Sequence, residues 1–472
     1  MLALRCPRLP CFARRFTSST NPDSALIYFD PQSSTLSSSI SNSSEILDLW
    51  KSSGAKDGQS RVLWNVGGFK RVGVASLKDG VRSAAATAVK ALKDNGAAEI
   101  VICDGGNAHA AAEGSHLALF SYDQFKSKRT PPPKILALSP SEAFECGKSF
   151  ASAQNLAREL METPGNHLTP TKFCERAMKE SEMVKNLQVV SHGKEWIESE
   201  KMTGLLSVAK GSTEEPKFLE IRYTGGGKGT IGLVGKGVTF DSGGISIKPS
   251  NGMKDMRGDM GGAATIFSTT LYAAKLGLPI NIHTCIPLAE NMPGGNASRP
   301  GDIITMRNDL TVEIDNTDAE GRIILADALH YLSCYKPDAI IDAATLTGAI
   351  EVALGNIYSA VFSTSTPLFT ALSVAGEFCE DEFWRMPLSK HYKTQIEKSN
   401  ADLCNVGSKR GGGACTAAEF LKPFVGDVRW AHVDIAGVMM GEARSWDWKG
   451  MSGRPTRSFL EFLRRSPLET VV

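Results

Sequence analysis

Two acids and an arginine stand at alternate positions in Asn316-Thr-Asp-Ala-Glu-Gly-Arg322, namely Asp318, Glu320 and Arg322. On extended backbone, alternate side chains leave the same side of the chain. Two carboxylates beside a guanidinium would make half of a site for divalent cations and an anion. A plainer reading competes with it. Thr317 and Glu320 have the spacing of a capping box, and acids are favoured at a helix N-terminus in any case. Taken alone the segment favours the cap, yet a cap makes no use of Asp318 or Arg322.

A second cluster lies upstream, in Lys236-Gly-Val-Thr-Phe-Asp241-Ser-Gly-Gly-Ile-Ser-Ile-Lys248, with Asp255 and Asp259 following. Gly243 and Gly244 allow a sharp turn that would bring Asp241 and Lys248 back over the end of a strand. Asp259 is placed to open a helix, where capping is its ordinary role. Two Asp-rich loops, each with a basic residue, make coincidence a poorer account. Carboxylates without histidine or thiolate ligands suit two hard or borderline divalent ions sharing a bridging oxygen. The eight histidines avoid both loops, and there is no HExxH motif. Gly225-Gly-Gly-Lys-Gly-Thr230 lacks the spacing of a phosphate loop and precedes a strand, so it reads as a hairpin turn.

Both acidic loops need a strand before them, because open α/β sheets collect ligands beyond the C-terminal ends of their strands. Strand patterns at 230–235 and 310–315 lead into the two loops, and others stand at 218–223, 279–287 and 339–344. Helical patterns cover 259–276, 322–335 and 415–424, the first closed by Gly277-Leu278-Pro279. These predict an α/β fold whose C-terminal domain, 167–472, has a central mixed β-sheet flanked by helices. Residues 21–150 read as a smaller N-terminal α/β domain, with strands at 72–75 and 99–103 and a helix at 80–92. A helical stretch over 151–166 connects the two. Residues 1–20 hold Arg5, Arg8, Arg14 and Arg15, no acid, and a Thr/Ser cluster, as a mitochondrial targeting peptide would. Pro7 and Pro10 weaken the helix such a peptide forms. The expected compartment is mitochondrial or cytoplasmic, with the arginines favouring import.

The chain has 472 residues, 42% apolar and 22% charged, the composition of a soluble globular protein with sizeable cores. A net charge of +1 gives no electrostatic reason to expect nucleic acid or an anionic membrane surface as a partner. No apolar run reaches the roughly 18 residues that would span a bilayer. Ten scattered cysteines without a C-x-x-C pair suit reduced, mostly buried thiols in an intracellular compartment.

The 316–322 segment, followed by Ile-Ile-Leu-Ala-Asp-Ala-Leu, resembles the signature of the cytosol (leucyl) aminopeptidase family. Gly235-Lys-Gly-Val-Thr-Phe-Asp-Ser-Gly-Gly244 and Met256-Arg-Gly-Asp-Met-Gly-Gly262 are similar to that family's other active-site stretches. So are Asp342-Ala-Ala-Thr-Leu-Thr-Gly348 and Trp430-Ala-His-Val-Asp-Ile-Ala-Gly437. The resemblance implies a metal-dependent aminopeptidase with two divalent ions per subunit, zinc or manganese, with magnesium or cobalt as alternatives. Its metal ligands would be Lys236, Asp241, Asp259, Asp318 and Glu320, with Asp241 and Glu320 bridging. Lysine must be neutral to donate, and two adjacent dications provide the pKa depression this requires. Lys248 would stabilise the oxyanion of the tetrahedral intermediate. Arg322 would hold a bicarbonate that relays the proton of the attacking, metal-bridging hydroxide. Met256, Thr345, Gly348, Ala436 and Met439 match the family's apolar pocket for the first side chain, although core packing explains such residues equally well. Leucine and other apolar N-terminal residues, peptides with a free amine, and a homohexamer are implied with them.

Other readings stand beside this one. A catalytically silent relative acting as a binding or structural protein would have lost a ligand, and every ligand position here keeps its residue type. Some bacterial relatives bind DNA, for which this chain shows no strong basic patch. A two-metal phosphatase or nuclease would use similar carboxylates, usually with histidines and phosphate-contacting groups.

Overall fold

The computed structural model describes residues 23–30, 35–37, 43–397, 399–441 and 444–465. The targeting peptide expected at 1–20 lies outside them. The described residues form two compact units: one runs to Asn155 and includes Gly441–Gly450, and the other comprises Leu156–Met440 and the described residues from Met451 onward. The boundary falls within one helix, Glu142–Glu162.

The sheet of the first unit runs Ser60–Val66, Phe69–Ser76, Ser24–Asp30, Glu99–Ile102, Lys134–Ala137. The first two strands form an antiparallel hairpin, the others along this order are parallel to one another, and a sixth strand, Thr35–Ser37, pairs antiparallel with Ser24–Asp30. Parallel strands are covered on both faces and read as unbroken apolar runs, as Ala25, Leu26 and Ile27 do. Helix Gly80–Asp94 packs into this core through Ala85, Ala88, Val89 and Leu92, and Trp446 from the late segment joins them.

The second unit is built on a nine-stranded mixed sheet. Its middle strands, Arg429–Asp434, Ala339–Ala344, Thr230–Gly235 and Asn281–Asn291, are mutually parallel. Lys217–Thr224 and Leu187–His192 extend one side antiparallel, and Ser359–Ser363 and Phe383–Met386 extend the other. Alternation along the strands separates two cores. Cys285 and Ala289 face helix Gly321–Ser333 through Ile324 and Leu325, whereas Ile286 and Leu288 face helix Gly261–Lys275 through Ala264 and Phe267. The architecture is mixed α/β, and no helix among the described residues is long and apolar enough to cross a membrane.

Two expectations about elements need correction. The Gly225–Thr230 stretch is not a hairpin turn, because Asn281–Asn291 lies between the strands on either side of it. The run passes tightly against the chain entering that strand, where a Cβ on Gly225 would come within 2.2 Å of the Leu278 carbonyl oxygen. Close approach, not turn geometry, explains those glycines. The strand expected at 310–315 forms as Thr311–Ile314, but in a separate three-stranded sheet with Asp302–Thr305 and Leu403–Cys404. Local alternation marks a strand without saying which sheet it joins. The eight described cysteines are free, and all but Cys334 are buried.

Candidate metal centre and active site

Lys236 follows strand Thr230–Gly235 directly, and its backbone is fixed by donating to Ala343 O at 3.0 Å and accepting from Ala263 N at 2.8 Å. Its Nζ lies 2.8 Å from Asp259, 3.0 Å from Glu320 and 2.9 Å from the carbonyl of Thr345. Burial alone would favour the neutral amine, but Asp259, Glu320 and Asp241 outweigh it and hold the side chain as an ammonium. The stem of Lys236 runs against Gly321, where a Cβ would sit 2.5 Å from its Cε.

Asp241 ends strand Gly237–Asp241. Its Oδ1 accepts from Gly243 N at 2.9 Å and Asn291 Nδ2 at 2.8 Å, and its Oδ2 lies 2.9 Å from Lys248 Nζ. Gly243 and Gly244 have φ of 89° and 68°, the left-handed region, and turn the chain so that Lys248 N donates to Ser242 O. Lys248 Nζ also lies 2.6 Å from Asp318. Burial would pull the Lys248 pKa down, and Asp241 with Asp318 more than reverse it. Asp255, in the same upstream cluster, turns instead to Arg257 at 2.9 Å.

Neither capping role forms. Helix Gly261–Lys275 has Met260 at its N-cap, with Asp259 one residue earlier at the end of the 3-10 turn Met253–Gly258. Asp259 instead accepts from Lys236 and from Thr345 Oγ1 at 2.7 Å. Thr317 donates its hydroxyl to Gly243 O at 2.6 Å and accepts from Ser246 N at 2.8 Å, tying the two acidic loops together. Glu320 occupies the N-cap position of helix Gly321–Ser333 without a side-chain cap bond. Its backbone is already helical, with φ −73° and ψ −34°, so the shared side of Asp318, Glu320 and Arg322 is made by a turn into a helix, not by extended chain.

Carboxylate oxygens of Asp241, Asp259 and Glu320 lie within 4.8 Å of one another, all buried. Burial and then Glu320 push the Asp241 pKa up to about 6, against Lys236 and Lys248. Glu320 Oε2 is buried without a hydrogen-bond donor. An all-oxygen cluster with surplus negative charge and an unfilled acceptor fits divalent cations. Arg322 is also buried, with Nη1 donating to Asn405 O at 2.7 Å and Nε lacking an acceptor. Burial draws its pKa down to about 10, against Glu320 and Asp434.

Every residue singled out as metal ligand, catalytic cation or pocket wall lines one cavity of about 230 Å³. Met256, Thr345, Gly348, Ala436 and Met439 form part of that wall, and Leu346, Thr347 and Glu351 join them without having been singled out. Sequence reading also missed the buried polar residues behind the wall. Asp434 accepts from Leu346 N at 3.2 Å, Thr347 Oγ1 at 2.7 Å and Ala436 N at 3.2 Å, so one carboxylate ties two sides of the cavity. Its position in Trp430–Gly437 was a signal for it. Asn405 had none.

The fold and site together define a two-unit α/β protein with a buried lysine–carboxylate centre at the C-terminal ends of parallel strands. Residues 155–460 match the catalytic domain of the cytosol aminopeptidase family and residues 50–129 match its N-terminal domain. The cytosol aminopeptidase of Rattus norvegicus is 50% identical over 82% of this chain and 76% of its own length. That of Xenopus tropicalis is 48% identical over 85% and 77%. A solved structure, the bottromycin maturation enzyme BotP in complex with Mn, is 32% identical with a TM-score of 0.85, covering 95% of this chain and all of the other. The chain belongs to the cytosol aminopeptidase family, and so to the metal-dependent aminopeptidases.

Proposed function

We propose that the protein removes N-terminal residues, leucine and other apolar residues preferred, from peptides with a free α-amine, using two divalent ions per subunit. Lys236, Asp241, Asp259, Asp318 and Glu320 would hold them, zinc or manganese in the first place, with magnesium or cobalt also suited to so oxygen-rich a set. When bound, such a pair supplies the Lewis acidity that makes water nucleophilic near neutral pH and polarises the scissile carbonyl. Lys248, kept cationic by Asp241 and Asp318, would stabilise an oxyanion. Arg322, anchored by Asn405 with Nε lacking an acceptor, suits a small planar anion such as bicarbonate that passes on a proton. Met256, Ala436 and Met439, with Thr345 and Gly348, would receive the first side chain. The assembly proposed is a homohexamer, in mitochondria or cytoplasm. The observation that carries the reading is the convergence of three buried carboxylates, short of cations, in a cavity with thioether walls.

The test compares leucyl amide with N-acetyl-leucyl amide after chelation and addition of one defined metal. A free amine has a lone pair to offer the site, and acetylation delocalises it into an amide and adds bulk. Misplacing the scissile carbonyl by about 1 Å can cost on the order of a hundredfold in rate. Leucyl amide should be cleaved once metal is returned, and the acetylated amide not measurably. Comparable rates on both would overturn the aminopeptidase reading. Hydrolysis of neither, with two metals bound, would favour the silent relative.

A further inference from the structure

Beyond the charged residues, the loop that carries Asp318, Glu320 and Arg322 is shaped by a side chain from a distant part of the sequence. Asn405 follows the short strand Leu403–Cys404, which pairs parallel with Thr311–Ile314, the strand that leads into the loop. Its backbone N–H continues that pairing by donating to Glu313 O at 3.0 Å. The side chain is fully buried. Oδ1 accepts from Asp315 N at 2.9 Å and Asn316 N at 3.3 Å. Nδ2 donates to Asn316 O at 2.7 Å and Ala319 O at 3.4 Å. Its main-chain carbonyl receives Arg322 Nη1 at 2.7 Å.

We infer that Asn405 is a positioning residue that sets the loop bearing Asp318 and Glu320, and the guanidinium of Arg322, in one frame. The chemistry explains the residue type. The loop offers two N–H donors on one side and two carbonyl acceptors on the other, and of the side chains this short only a carboxamide answers both pairs at once. Aspartate has the same shape but faces the two carbonyls with an acceptor. Alanine removes the partner of four main-chain groups at once, in a loop whose Thr317, Ala319 and Glu320 are buried, and so frees the loop to leave this conformation. Thr317 and Asn291 fix the opposite flank, where Asn291 Nδ2 donates to both Asp241 Oδ1 and Thr317 O. The loop is therefore held from two sides, and among the described residues Asn405 is the one hydrogen-bonded both to the loop and to the Arg322 guanidinium. Residues that orient metal ligands typically change metal affinity or activity by about 10–100-fold when replaced.

The inference rests on the proposed reading of the loop as metal- and anion-holding, and the test separates the two. Asn405→Ala and Asn405→Asp are prepared with wild type, stripped with chelator, and titrated with Mn²⁺ alone by calorimetry, at a temperature where circular dichroism shows each protein folded. Steady-state kinetics on leucyl amide follow at saturating Mn²⁺. The expected result is Mn²⁺ binding weakened at least tenfold in both variants. With it, kcat should fall ten- to a hundredfold while KM stays within about threefold. A purely structural role would lower the unfolding temperature and leave the Mn²⁺ affinity and kcat of the folded protein where they were, and that result overturns the inference. If Asn405→Ala does not fold, Asn405→Asp, which keeps the shape and the Oδ1 contacts, decides alone. A wild-type protein that binds Mn²⁺ but does not hydrolyse leucyl amide would sink the proposed function, and the Mn²⁺ titrations would still judge Asn405.

Discussion

Gly321 occupies the first helical position after Glu320, where alanine would ordinarily be the better residue. Glycine costs a helix roughly 0.5–1 kcal/mol relative to alanine. Here a Cβ would fall 2.5 Å from Lys236 Cε and 2.7 Å from Lys236 Nζ. Lys236 cannot yield freely, since its Nζ is held by Asp259, Glu320 and the Thr345 carbonyl. Overpacking of this kind typically costs about 1–3 kcal/mol, which the helix gain partly offsets. The two effects offset each other in part in stability but not in geometry, because the displaced atom is the nitrogen in the centre of the acids. Gly321→Ala should shift the unfolding temperature by only a few degrees and lower kcat/KM on leucyl amide at least tenfold. Activity within twofold of wild type would show that the contact is slack.

At the scale of elements, helix Gly321–Ser333 is pinned to its surroundings by Asp327, one turn and a half beyond Arg322. Helix Thr203–Ala209 has no side-chain cap of its own, and Asp327 Oδ2 accepts from Leu205 N at 3.1 Å in its first turn. Oδ1 accepts from Arg307 N at 3.2 Å, in the turn between strands Asp302–Thr305 and Thr311–Ile314. Burial pushes the Asp327 pKa up to about 7, although the Leu205, Arg307 and Gly204 amides and the Arg307 charge pull the other way. The folded-state value is then above the unfolded one of about 3.9. Its contribution to stability is full below pH 4 and is lost as pH rises through 7, because the unfolded carboxyl ionises first. Between pH 5 and pH 8 the loss is about 2–3 kcal/mol. In chelator, the stability of wild type minus that of Asp327→Asn, from urea unfolding, should fall by that order between those pH values. A difference that stays constant would show that Asp327 titrates normally. The same elements show what the sequence could and could not give away. Thr230–Gly235 and Ala339–Ala344 lie where their apolar runs placed them, since a strand covered on both faces announces itself locally. Sheet membership does not, so Thr311–Ile314 and the glycine run after Thr224 were misread. The acids and lysines of the centre were legible because their chemistry is unusual in pairs, even though the alternation that first drew attention to 318–322 turns out to be a helix start. Asn405 and Asp434 were illegible as positioning groups, because their work is hydrogen bonding to main chain that only the fold brings near.

At the scale of the whole molecule, the centre belongs entirely to the second unit. Its charged groups come from residues 236–248 at and beyond two strand ends, the turn before helix Gly261–Lys275, and residues 318–322 at the start of helix Gly321–Ser333. Ions bound there would act as a cross-link among those segments. A ligand that binds only the folded state stabilises it by RT ln(1 + [L]/Kd), about 2.7 kcal/mol at a concentration 100 times Kd. The sheet of the first unit, with strands Ser24–Asp30, Phe69–Ser76 and Glu99–Ile102 at its centre, supplies no group to the cavity. Local openings that expose single loops are therefore the motions metal should suppress. On adding Mn²⁺ to stripped protein at about 100 times Kd, amide hydrogen exchange should slow most at 236–248, 256–260 and 316–322. Exchange in the three named strands of the first unit should be unchanged on the timescale of those loop openings. Equal slowing in both units would mean that metal acts by tightening the chain as a whole, and no slowing at 316–322 would remove Asp318 and Glu320 from the ligand set.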